Sequence, residues 1–206
     1  MSEGITEYYG GSGVAMAGKD CLIITGDKRI GNRFLTIGTK KSSIKIINKR
    51  CLISMNGFLP DIQYLFGKIE EHVELFQLTE NRSIDVYELA NMISYILYSF
   101  RTQPKYVDPI VVGLTDNNKP VLIQMDCVGC KTTTDTFVVA GTAHKNLSGM
   151  CEALYREGMD SEELFENTMQ AFLNSLDRDA LSGWGAECYI LTPNGIVRRE
   201  VKGRND

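Results

Sequence analysis

The order in which hydrophobic periodicity changes along the chain constrains the fold more than any other feature. Short apolar runs punctuated by polar turns come first: residues 13–17 and 21–25 around Gly18-Lys19-Asp20, then 44–47 and 51–55 around Asn48-Lys49-Arg50. This is hairpin punctuation. The period then shifts to three and four residues. Ile62, Leu65, Phe66, Ile69, Val73 and Phe76 mark one helix face, and Val86, Leu89, Ala90, Ile93, Leu97 and Phe100 a second. Ser83 is placed to cap the second helix, and Pro104 falls just past its end. Strand patterns return over 109–114, 121–125 and 137–140. Two more helices follow, one through Leu147, Met150, Cys151 and Leu154, the other from Asp160 through Leu176. Asp160 and Glu163 have the spacing of a capping box. A last hairpin, 186–191 and 196–201, closes around Thr192-Pro193-Asn194-Gly195.

Strands, helix pair, strands, helix pair, strands is a poor match to a doubly wound sheet. Two adjacent helices cannot each cross over between parallel neighbours. An α+β fold is expected instead: a four-layer αββα sandwich, two antiparallel sheets face to face with a helix pair on each outer side. At 206 residues this fits a single domain, taken as 11–206 behind a short extension over 1–10.

Composition excludes several classes. With 43% hydrophobic and 23% charged residues the chain is neither disordered nor fibrous. The net charge of −4 and scattered basic residues give no stripe for nucleic acid. No apolar run is long enough for a membrane span, and no secretory signal is visible, so six cysteines read as reduced, mostly buried thiols of an intracellular protein.

The usual catalytic motifs are missing. There is no Gly-x-Ser-x-Gly elbow and no Walker loop, and His72 and His144 lie in no recognisable catalytic setting. Cys127-x-x-Cys130 has no second Cys/His pair at zinc spacing, so neither a metal nor any other cofactor is expected. A free-standing thiol enzyme using Cys127 or Cys130, or a simple α+β binding module, stays open at this point.

More informative are Gly10-Gly11, Gly26-Asp27-Lys28-Arg29, Asn56-Gly57, Val139-Ala140-Gly141-Thr142 and Arg178-Asp179-Ala180-Leu181-Ser182-Gly183. Together these resemble the proteasome β-subunit family, of the N-terminal-nucleophile hydrolase class, over essentially the whole chain. Active members of that family use a threonine freed by cleavage after glycine, whose own amine is the base. The resemblance puts Gly11 at the nucleophile position, Asp27 and Lys45 as the tuning acid and lysine, Asp179 and Ser182 as the amine-holding pair, and Thr142 in place of a supporting serine. Gly11 offers no hydroxyl, and uncleaved it offers no amine. The resemblance therefore implies a non-catalytic member in which Asp27, Lys45, Asp179 and Ser182 form a vestigial scaffold.

Cleavage after Gly11 would make Ser12 terminal, which is the alternative reading as an active hydrolase. Ser12 is one residue out of register, so its side chain should face the other side of the strand. The resemblance further implies a particle of four stacked seven-membered rings, fourteen α and fourteen β chains, acting in ATP- and ubiquitin-dependent degradation of unfolded polypeptides in cytoplasm and nucleus. In it Asp126 and Cys130 would line the active-site pocket of a neighbouring beta type-2 subunit.

Overall fold

The computed structural model describes residues 8–204. Two five-stranded antiparallel sheets stack with a helix pair on each outer face. The first sheet has the order β10-β1-β2-β11-β12, with β1 Ser12–Ala17, β2 Leu22–Asp27, β10 Phe137–Gly141, β11 Ala186–Thr192 and β12 Gly195–Val201. The second runs β5-β6-β7-β8-β9: Ile44–Asn48, Cys51–Gly57, Val107–Leu114, Pro120–Met125 and Lys131–Thr134. A small ribbon, β3 Ile30–Asn32 with β4 Leu35–Gly38, stands apart from both. The expected four-layer α+β sandwich is the observed architecture.

Helices α1 Leu59–Glu80 and α2 Val86–Ser99 cover the second sheet, and α3 His144–Leu154 and α4 Ser161–Leu176 the first. Alternation within each strand sorts side chains between layers. On β6, Cys51, Ile53 and Met55 meet Ile62, Leu65, Leu89 and Ile93 of the helices, while Leu52 joins Ala15, Ala17, Leu22, Ile24, Ile110 and Val112 between the sheets. On β1 and β2, Val14, Met16 and Ile23 pack with Leu147, Leu164 and Phe172. Phe172 is fully buried.

Capping sets the helix starts, with one correction. The N-cap of α2 is Asp85, not Ser83: its carboxylate accepts from the amides of Tyr87 and Glu88, and the Asp85 amide donates in turn to the Glu88 carboxylate. Asp160 caps α4 by accepting from Glu162 and Glu163, as its position suggests, but the Glu163 carboxylate turns to Arg156 instead of completing a box. The ribbon β3–β4 and strand β9 had no clear signature. Thr132, Thr133 and Thr134 are polar because β9 is an exposed edge strand, and the ribbon exposes Phe34, Leu35 and Ile37. No described helix is long and apolar enough to cross a membrane.

Candidate functional site

The hairpin β1–β2 brings the start of one strand beside the end of the other. Gly13 pairs with Gly26, so Ser12 lies next to Asp27 and its amide donates to Asp27 Oδ1 at 3.2 Å. The loop after α4 folds back over this end, and the Gly183 amide donates to Asp27 Oδ2 at 3.2 Å. Asp27 is 1% exposed. A carboxylate this deep needs several donors, since unpaired buried charge is strongly unfavourable.

Its cationic partner is Lys41. Lys41 Nζ donates to Asp27 Oδ1 at 3.1 Å and to the Gly10 carbonyl at 3.3 Å, with only 5% of the side chain exposed. This corrects the expectation for Lys45, which pairs instead with Glu70 of α1 and lies over the Phe66 ring, half-buried. The reason is strand alternation. Ile44 points between the sheets, so its neighbour Lys45 points outward to the α1 layer, whereas Lys41 in the preceding loop is free to turn inward.

The position in front of β1 has no side chain and stands against the Lys41 ammonium. Gly11 has φ of +124°, a backbone region that side chains rarely adopt, and a Cβ there would lie 1.9 Å from Lys41 Nζ and 3.2 Å from Asp27 Oδ1. The ammonium thus sits where a side chain of residue 11 would begin. Ser12 faces the other way: its Oγ accepts from the Ala143 amide at 2.9 Å and lies 3.3 Å from Ser182 Oγ and 3.5 Å from Thr142 Oγ1.

Asp179, Ser182 and Thr142 do come together. Asp179 Oδ2 accepts from Ser182 Oγ at 2.5 Å and from Thr142 Oγ1 at 2.6 Å, and its Oδ1 accepts from the Leu181 amide. The result is a closed hydroxyl–carboxylate network around the buried Ser12 hydroxyl. Arg29, whose sequence run after Gly26 gives no sign of burial, ties the parts together. It is 2% exposed and donates to the Leu181 carbonyl at 2.8 Å, Thr36 Oγ1 at 3.0 Å and the Arg33 carbonyl at 2.9 Å. Burial pulls its pKa down, against the upward pull of Asp27 and Asp179.

Asp126 and Cys130 lie elsewhere, on the exposed turn between β8 and β9. Asp126 Oδ1 accepts from the amides of Val128 and Cys130 at 3.0 and 2.8 Å, and the turn closes with the Asp126 amide donating to the Cys130 carbonyl at 3.2 Å. Cys130 is exposed and Cys127 half-buried. Burial and the Asp126 charge push the Cys127 thiol up, which disfavours the thiolate a thiol enzyme would need. Among the described residues no group of three or more His, Cys, Asp or Glu could hold a metal ion. His72 Nδ1 bonds the Lys68 carbonyl within α1, and His144 Nδ1 that of Gly141; neither adjoins Asp27 or Asp179 by a hydrogen bond.

The family model described as "Proteasome subunit" matches residues 7–191. The chain belongs to the proteasome subunit family. It is 43% identical to "Proteasome subunit beta type-3-A" of Arabidopsis thaliana over 202 residues, covering 98% of this chain and 99% of that one. At the same coverage it is 39% identical to "Proteasome subunit beta type-3" of Caenorhabditis elegans and 37% identical to "Probable proteasome subunit beta type-3" of Schizosaccharomyces pombe. The two stacked antiparallel sheets and four helices are consistent with the family's N-terminal-nucleophile hydrolase fold. As a member of this family the chain assembles with other proteasome α and β subunits.

Proposed function

We propose that this chain is a non-catalytic β subunit of beta type-3 character in the 20S core particle, acting in ATP- and ubiquitin-dependent degradation of unfolded polypeptides in cytoplasm and nucleus. It builds part of the inner β ring as a single domain over 11–206 behind a short extension. The observation that carries the reading is the lack of any side chain at Gly11, directly beside the buried Lys41–Asp27 pair. Peptide hydrolysis in this family's manner needs a hydroxyl at that point and an amine as its base. Here Gly11 carries no side chain and so no hydroxyl, and its nitrogen is an amide.

In this reading Asp27, Asp179 and Ser182, with Lys41 as the lysine, have become framework. They hold the loop over 177–185 against the β1–β2 hairpin, with Arg29 as a further clamp. Ser12 supports no alternative catalytic role, because its hydroxyl is fully enclosed among Thr142, Ser182 and the Ala143 amide. Asp126 and Cys130, presented on the exposed β8–β9 turn, line the pocket of the neighbouring beta type-2 subunit, where the Asp126 carboxylate favours basic substrate side chains.

Two measurements test this. Treating assembled particles with a peptide epoxyketone should leave this chain unmodified while catalytic neighbours gain the adduct; an adduct here refutes the non-catalytic reading. Particles carrying Asp126→Asn should hydrolyse substrates cut after basic residues with a raised KM. Unchanged hydrolysis removes the pocket role and leaves the ring role standing.

A further inference from the structure

Next to the Lys41–Asp27 pair, the seam between the sheets carries polar groups that nothing described so far uses. Ser43, Ser54 and Asn56 are each buried, at 2%, 0% and 0% exposure. Ser43 Oγ, Ser54 Oγ and both Asn56 side-chain atoms, Oδ1 and Nδ2, have no hydrogen-bond partner among the described residues. All three side chains point into one place. On β6, Leu52 belongs to the inter-sheet core, so Ser54 and Asn56, at the same two-residue step, share its face. Across the seam stand Gly13 and Gly26, paired directly in the first sheet. A Cβ on Gly13 would lie 2.7 Å from Asn56 Nδ2 and 3.5 Å from Ser54 Oγ, and one on Gly26 would lie 2.2 Å from Ser43 Oγ. Thr25 Oγ1 is also unpartnered, but Thr25 pairs with Val14 on the face toward α4 and stands apart from this cluster.

We propose that this polar cluster in the seam is an internal water-binding site, in which ordered water joins Asn56 to Ser54 and Ser43. Orphaned buried polar groups cost roughly 1–3 kcal/mol each, and a folded chain rarely leaves four atoms so placed unsatisfied. Residues two apart on one strand face are about 6.6 Å apart at their α-carbons, a separation that one bridging water spans more readily than a direct bond between short side chains. The asparagine offers two N–H donors and a carbonyl acceptor, and each serine offers one hydroxyl donor and its oxygen, so water can both donate and accept here. A metal cation is a poor occupant, because the cluster holds no carboxylate and the Lys41 ammonium lies close by, against Gly11 just ahead of β1. The paired glycines have a physical purpose on this reading. They let the Asn56 and Ser43 side chains reach the first sheet, where a Cβ at 13 or 26 would collide with them.

The test is the density of core particles containing this chain, determined finely enough to show ordered water. The expected result is at least one peak between the sheets within hydrogen-bond distance of Asn56 and of Ser54 or Ser43. A seam with no such peak, in which the three side chains bond directly to one another or to backbone carbonyls, overturns the proposal. Particles carrying Ser54→Ala give a second reading: the bond to residue 54 is lost while a peak on Asn56 stays. If the Ser54→Ala map shows Asn56 bonded directly to protein atoms with no peak beside it, the bridging assignment is overturned. Should Ser54→Ala fail to assemble, the unsubstituted map alone decides.

Discussion

Replacing Lys41 with methionine isolates the most consequential contact in the molecule. The change keeps the length of the apolar stem and removes the ammonium, leaving the Asp27 carboxylate with 0% side-chain exposure. Removing one partner of a buried pair costs about 3–5 kcal/mol. The amides of Ser12 and Gly183 remain as donors to Asp27, which places the expected cost near the lower end, at about 3 kcal/mol. For a chain of this length each kcal/mol moves the melting point by about 2–4 °C, so a drop of about 6–12 °C is expected. Lys45→Met is the matched control. Its pair with Glu70 is exposed at 31% and 50%, and such pairs contribute about 0–1 kcal/mol, a shift of at most about 4 °C. The assay is thermal unfolding of this chain within assembled particles, followed by protease protection and mass spectrometry. Adding Asp27→Asn to Lys41→Met should recover at least half the loss, because no buried charge is then left alone. If Lys41→Met melts with the unsubstituted chain, or Lys45→Met falls further, the assignment of Lys41 as the buried partner is refuted.

Gly11→Thr should create no peptidase, since φ at residue 11 is +124°, a backbone that a threonine rarely adopts; N-terminal sequencing should find the Gly10–Thr junction uncut, and a freed threonine would contradict this. Asp85→Ala should cost about 1 kcal/mol by removing the cap of α2, read as a melting shift, whereas Ser83→Ala should change little. Burial pushes the Cys51 and Cys151 thiols up to about 12 from an ordinary 9.0, so the folded state favours their neutral forms. The stability this protects is present below pH 9 and lost as pH climbs from 9 toward 12; at neutral pH, alkylation of native particles should mark Cys130 first and Cys51 and Cys151 last. Phe34→Ser, on the ribbon where Phe34 is 73% exposed, should lower incorporation into particles without lowering the melting point of this chain once assembled.

What the amino-acid sequence determined by itself is the layer order and the loss of catalysis. Apolar period is a local property, and the alternation of two-residue and 3.6-residue patterns leaves few ways to bury every stripe. That residue 11 is a glycine, with no hydroxyl to offer in the proposed reading, is likewise written in one letter. The tertiary structure alone decided which lysine turns inward. Lys40, Lys41 and Lys45 lie within six positions, and only the direction of Ile44 into the inter-sheet core sends Lys45 out to Glu70 and leaves the interior to Lys41. Arg29 and the Ser43–Ser54–Asn56 seam were hidden for the same reason. Polar side chains carry no periodic signal, and their burial depends on residues far along the chain, such as Leu181 and Gly13, arriving at the same place. The β3–β4 ribbon and β9 escaped because they bury too little apolar surface to leave a pattern.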